Sequence, residues 1–221
     1  MRKIICLMMF SILLVGCGSS KPVPDWTDAS FNQLDNYKKS YLSGKELIAE
    51  AYFNKAVDEI KSSGDLDILA RAYLTKYACQ VAVLEAFDDR EYLKIEAVEP
   101  VLQNKNFHGF LKGAFDNVDE KLLPQQYEGF LRAFKSGKKE DVAREISKMD
   151  NPLSKLIAVG LLVKKNKVEE IDLKLAIDIA SQNGWKKPLL AYLGKLQSFY
   201  KTNNEPDKAA HVEERIQLIK N

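Results

Sequence analysis

Leu153-Ser154-Lys155-Leu156-Ile157-Ala158-Val159-Gly160-Leu161-Leu162-Val163-Lys164 is the stretch whose reading decides the fold. Leu156, Ile157, Val159, Leu161 and Leu162 cover most of the circumference of a helix instead of a single stripe, which marks a helix enclosed by other elements. Asp150-Asn151-Pro152 breaks the chain immediately before it. A central helix of this kind needs apolar partners, and the flanking sequence offers them.

Downstream, a helix over residues 171–182 ends at Asn183-Gly184, and residues 187–201 and 206–220 form two more. Upstream, residues 139–149 bring Val142 and Ile146. Residues 122–135 carry Leu123, Tyr127, Phe130, Leu131 and Phe134 at helical spacing, with Pro124 tolerated in the first turn and Ser136-Gly137 at the end. Residues 104–116, with Phe107, Phe110, Leu111 and Phe115, suit a helix and a loop about equally. Residues 88–102 read as a helix with Leu93, Ile95, Val98 and Val101, bent or turned at Pro100.

The N-terminal half is more regular. Phe31, Leu34, Tyr37 and Tyr41 form a stripe that Asp28 or Ser30 can cap and Gly44 closes. Leu47, Ile48, Ala51, Tyr52, Ala56 and Ile60 make a second, ending at Ser62-Ser63-Gly64. After Asp65 a third runs through Leu66, Leu69, Ala70, Tyr73, Tyr77, Val81 and Leu84. No segment alternates apolar and polar residues between Gly-Asn turns, so a sheet has no support. The expected fold class is all-α, built from antiparallel helix pairs.

The first residues follow a different logic. Met1-Arg2-Lys3 is followed by an apolar run from Ile4 to Val15, which is shorter than the roughly 20 residues a membrane-crossing helix needs. Polarity returns at Gly16-Cys17-Gly18-Ser19-Ser20, giving a charged start, a short apolar stretch and a small-residue cleavage site. Leu14-Val15-Gly16-Cys17 resembles the lipobox of bacterial lipoproteins. That resemblance implies cleavage between Gly16 and Cys17, a diacylglyceryl group on the Cys17 sulfur and acylation of the new amino group. Residues 1–16 are then a signal peptide, 17–27 a lipidated N-terminus and flexible tether, and 28–221 a single helical domain. Trp26, in the tether, could rest at a membrane interface or make the first apolar contact of the domain. In two-membrane bacteria an aspartate after the lipidated cysteine favours inner-membrane retention. Gly18 and Ser19 therefore imply the periplasmic side of the outer membrane.

Removing Arg2 and Lys3 leaves 31 basic residues against 31 acidic, so the mature chain is formally neutral and gives no support for nucleic-acid binding. Of three cysteines, Cys6 leaves with the signal peptide and Cys17 takes lipid. Cys79 stays unpaired in an apolar run that predicts core packing.

Tyr127, Phe134 and Ala143 are spaced 7 and then 9 residues apart, and Leu193, Tyr200 and Ala209 repeat that spacing 66 residues later. This resembles two tetratricopeptide-type units separated by two periods. The unit between them would place Gly160, Lys167 and Ala176 at those positions, where only the alanine fits. Gly44, Ala49, Phe53 and Ala56 resemble the second half of such a unit. The resemblance implies either a divergent tetratricopeptide-like solenoid or, given a middle third that departs from the pattern, an irregular helical bundle.

Catalytic signatures are missing: no His-Glu-x-x-His, Cys-x-x-Cys, Gly-x-Ser-x-Gly or phosphate loop occurs. His108 and His211 lack local partners, so no metal site is expected. Asp65-Leu66-Asp67 and Asp88-Asp89 fall where helices begin, which their charge at the positive dipole end explains. Lys138-Lys139, Lys164-Lys165 and Lys186-Lys187 fall at helix ends and are expected to be solvated. The resulting expectation is a non-enzymatic, lipid-anchored adaptor that binds an envelope protein or peptide, with no cofactor beyond the lipid on Cys17. It resembles in outline the tetratricopeptide lipoproteins of outer-membrane barrel assembly and pilus biogenesis. Two other classes stay open: a cell-wall or lipid enzyme with carboxylates assembled by the fold, and a structural part of an envelope machine. Cys17→Ser is expected to yield uncleaved precursor or protein that washes off membranes, measured by mass and fractionation. Normal cleavage and membrane retention would overturn the lipobox assignment.

Overall fold

A computed structural model of the chain describes residues 25–220, and every regular element among them is helical. The order is α1 (Asp25–Leu42), α2 (Glu46–Ser63), α3 (Leu66–Ala82), α4 (Arg90–Val98) and α5 (Leu102–Lys112). Two short 3-10 turns follow, Phe115–Asn117 and Glu120–Leu122. The chain continues with α6 (Gln125–Ser136), α7 (Lys139–Lys148), α8 (Pro152–Lys164), α9 (Glu170–Gln182), α10 (Lys186–Thr202) and α11 (Pro206–Lys220). Gly16, Cys17 and the proposed signal peptide lie outside the described residues.

Several boundaries differ from the sequence expectation for local reasons. α1 begins at Asp25, within the segment 17–27 expected to be a tether, and Trp26 in its first turn packs on the core. Pro124 sits just ahead of α6, not within its first turn; Leu123 before it is extended, as a residue preceding proline should be. Pro100 separates α4 from α5, and the undecided segment 104–116 is helical as far as Lys112. α3 stops at Ala82, two residues short of Leu84.

The last of these differences matters because of the way the helices end. Eight described helix ends pass through a left-handed residue, and these are five glycines, Asn166, Asn204 and Leu84. In six of them the next residue's N–H reaches back five positions, as Lys45 does to Ser40 and Glu85 to Gln80, closing the last carbonyls. Leu84, at φ 61°, has a branched side chain where the others have glycine or asparagine. An L-residue of this kind pays roughly 1–2 kcal/mol for that conformation.

α8 is the centre of the molecule. Ser154 and every residue from Leu156 to Leu162 are buried, as the all-round apolar sequence requires. Its nearest long-range partner is α3, also buried over much of its surface. The two cross at Gly160, where a Cβ would lie 2.3 Å from the Val81 carbonyl oxygen. No methyl fits there, so glycine sets the approach of the two helices. On another side the buried Tyr192 hydroxyl of α10 donates to the Leu156 carbonyl at 2.9 Å.

Consecutive helices pair around this centre: α1 with α2, α6 with α7, and α9 and α11 each with α10. Ala49 and Ala56 of α2 are fully buried, and Phe53 meets Tyr37 of α1 with ring centroids 5.3 Å apart. Tyr127 and Phe134 lie on α6 with Ala143 on α7; Leu193 and Tyr200 lie on α10 with Ala209 on α11, so each triplet spans one pair. Of the intermediate positions, Gly160 lies at the α3–α8 crossing and Lys167 lies between α8 and α9. Contacts also extend beyond sequence neighbours: α1 touches α10. There the Lys187 ammonium bonds Glu46 at 2.7 Å and Glu85 at 2.9 Å and lies 3.9 Å from the centre of the Tyr41 ring, while the Tyr41 hydroxyl donates to Glu85.

Gly160→Ala is expected to destabilise the chain by about 3 kcal/mol through overpacking against a backbone carbonyl. Gly194→Ala is the control, since nothing lies within 4 Å of its Cβ; it is expected to stabilise α10 by roughly 0.5–1 kcal/mol. Thermal unfolding of the two variants should shift in opposite directions.

Candidate functional site

α9 and α11 flank α10 without closing over it, which leaves a groove of about 560 Å³. Leu193, Leu196 and Tyr200 of α10 form its floor, and Ile177 of α9 and Val212 of α11 form the apolar walls. Lys174 and Asp178 rim one side; Asp207, Lys208, His211 and Arg215 rim the other. From Asp207 to Arg215 the rim rises about 12 Å at 1.5 Å per helical residue, the length of three or four extended residues. The mouth is fixed by polar contacts: the Tyr200 hydroxyl donates to Glu170 at 2.7 Å, Lys174 pairs with the same carboxylate at 2.7 Å, and Lys208 lies over the Tyr200 ring. The Lys174 and Tyr200 contacts hold the Glu170 carboxyl below the usual range.

A second groove, of about 600 Å³, opens between α6, α7 and α9 and is lined by Phe134, Val142, Ala143, Leu162 and Ile171. Ile171 is 67% exposed although it borders this apolar surface. Two of the three acids along the groove, Glu169 and Asp172, are engaged. Glu169 pairs with Lys139, and the buried Asp172 carboxylate accepts the Glu169 N–H at 2.9 Å in a capping box at the start of α9. Burial raises the Asp172 pKa.

The third feature is a polar cluster between α4 and α5. Asp89 accepts from Lys112 Nζ at 2.8 Å, and His108 Nε2 lies 3.0 Å from the same oxygen. An ionised carboxylate only accepts, so Nε2 carries a proton and donates it to Asp89. Tyr92 and Phe87 pack against the ring. Lys112 holds the Asp89 carboxyl below its ordinary value. Burial pushes the His108 imidazole down, against the opposing pull of Asp89 and Glu96 and with the help of Lys112.

The residues singled out from sequence are distributed unevenly over these features. His211 stands on the rim of the first groove, whereas His108, without a partner in its own segment, gains Asp89 from 19 residues away. Asp65 caps α3 by accepting the Ile68 N–H at 2.9 Å, as a helix-start acid should. Asp88 pairs with Arg90, and Asp89, expected to serve only its helix end, makes no cap bond. Lys187 is not solvated: its side chain is 13% exposed, inside the Glu46–Glu85–Tyr41 cluster. Cys79 is fully buried, which pushes its thiol up to about 12. Among the described residues no three His, Cys, Asp or Glu side chains gather as a metal site would need, and no helix is long and apolar enough to cross a membrane. No protein-family model, curated protein or solved structure matches the chain.

The sign of the His108 shift gives a pH test. A histidine depressed in the fold binds its proton more readily when unfolded, so its contribution is present above about pH 6.5 and is lost as pH falls below that value. The wild-type chain should lose more thermal stability than His108→Gln between about pH 7 and pH 5, measured by calorimetry. Parallel loss in both would show that His108 is not the titrating group.

Proposed function

We propose that the protein is a lipid-anchored adaptor of the bacterial cell envelope, and that the groove over α10 receives a short apolar segment of a partner protein. One observation carries this reading: a solvent-open channel with an apolar floor and a rim of both charge signs, held at its mouth by the Tyr200–Glu170–Lys174 contacts. Such a surface suits a peptide whose apolar side chains enter the channel while its polar groups meet the rim. Its length matches a few residues of chain. The lipobox resemblance at Leu14-Val15-Gly16-Cys17 supplies the membrane address, on the periplasmic side of the outer membrane for a two-membrane host.

An enzyme is less well supported by the same geometry. Glu170, Glu169 and Asp172 are each committed to a cation or an N–H, and Asp178 and Asp207 stand on opposite walls of the groove. A carboxylate-pair mechanism needs one acid held protonated beside one that is ionised and free to act.

The test is photo-crosslinking in intact cells, with the reactive group placed at Asp178 or His211 on the rim and at Lys55 on the remote α2 as control. A defined adduct is expected from the rim positions alone. Its yield should fall about tenfold when Lys174→Glu and Arg215→Glu reverse the rim charges, as loss of charge-assisted contacts predicts. Equal labelling from all three positions, or a yield insensitive to the reversal, would sink the groove assignment.

A further inference from the structure

A smaller pocket of about 280 Å³ sits beside the α3–α8 crossing, away from the groove over α10. Val81, Leu84 and Phe87 line it from the end of α3 and the segment after it; Gly160 and Val163 line it from α8. Lys112 and Lys164 stand at its edge. This volume is close to the lower limit of small-molecule sites, roughly 300 Å³.

Two observations mark the pocket as more than a packing gap. The first is Leu84. At every other described helix end that enters the left-handed region the residue is glycine or asparagine; here a leucine holds φ 61° and presents its side chain to the pocket. A strained residue persists where its surroundings fix it, and such residues concentrate at ligand sites. The second is the charge balance. Glu85, the acid in the lining, is committed to Lys187 and Tyr41, and Asp89 is shared by Lys112 and His108. Lys164 has no carboxylate partner among the described residues. Its ammonium donates to the Leu111 carbonyl at 3.2 Å and lies 5.0 Å from the centre of the Phe87 ring, with donors to spare. Partial burial and the neighbouring Lys112 charge lower its pKa against the pull of Asp89, and an incoming anion would relieve that lowering.

We infer that this pocket binds a small carboxylate with a compact apolar body, its charge on Lys164 and Lys112 and its body against Leu84, Phe87 and Val163. The inference is independent of the peptide groove: it concerns another surface and stands if the groove is empty of function.

Phenylacetate is the probe, with 2-phenylethanol as its uncharged match, titrated into the full chain in an uncharged detergent. The methyl resonances of Val81, Leu84 and Val163 report binding. Saturable shifts are expected with phenylacetate and not with the alcohol, and about tenfold weaker binding in Lys164→Gln, the effect of losing one charge-assisted hydrogen bond. Lys112→Gln supplies the charge test if the first variant does not fold. Leu84→Asn keeps a residue that tolerates the left-handed turn, so it should fold with an unchanged or higher melting temperature while binding more weakly. Absence of a saturable shift, an equal response to the alcohol, or wild-type affinity in both lysine variants would overturn the site. Wild-type affinity in Leu84→Asn would overturn the role given to the strained leucine.

Discussion

Backbone-to-backbone proximity at one point organises this molecule. Where α3 and α8 cross, the Val81 carbonyl occupies the space that any side chain at position 160 would need. Where the two helices come so close, the residues flanking the crossing, Val159 and Leu161 on α8 and Cys79 and Ala82 on α3, are fully buried. Packing of this density leaves little room for adjustment, and the other helices are placed relative to it. α10 is held to α8 by the Tyr192–Leu156 bond, and α9 and α11 are positioned by α10, so the width of the groove depends on contacts that begin at Gly160.

The crossing also affects how far the chain behaves as a stack of helix pairs. In a one-dimensional repeat each unit touches only its neighbours and stability accumulates along the chain. Here α3 meets α8 and α1 meets α10, contacts that close the N-terminal helices onto the C-terminal ones. The helix pairs keep the small residues and aromatics that let paired helices approach, as with Ala49, Ala56 and Phe53. Long-range closure of this kind favours unfolding as one cooperative unit over fraying from an end.

Much of the helical framework was legible in the sequence because the chain is punctuated. Gly44, Gly64, Gly137 and Gly184 close their helices, Asp65 opens one, and the all-round apolar stretch at 153–164 announced a central helix. Which helix would meet it was not legible, since Val81 is 79 residues from Gly160 and nothing local encodes a contact between a glycine and a distant carbonyl. The premature end of α3 was hidden for a related reason: Val83-Leu84-Glu85 contains no residue that ordinarily accepts the left-handed region. Charged residues misled most. A lysine at a helix start looks the same whether water or two glutamates surround it, so Lys187 read as solvated, and Asp89 read as a helix-end charge although its partners come from α5. Leu193 and Tyr200 of the groove's floor stood out by their spacing, but its openness depends on α9 and α11 standing apart, which only the packing reveals.

The Lys187 cluster has a mechanical consequence. On the proposed reading, the chain is held at a membrane by its N-terminus, and any pull from a bound partner enters through α9 to α11. Load between those two points does not have to run through the intervening helices one after another. The Glu46–Lys187–Glu85 bridge, with Tyr41 bonded to the same carboxylate, joins sequence positions 141 residues apart and offers a direct path from α10 to the α1–α2 hairpin. Force along that path would act on two ion pairs and a stacked cation before it reached the helices between them.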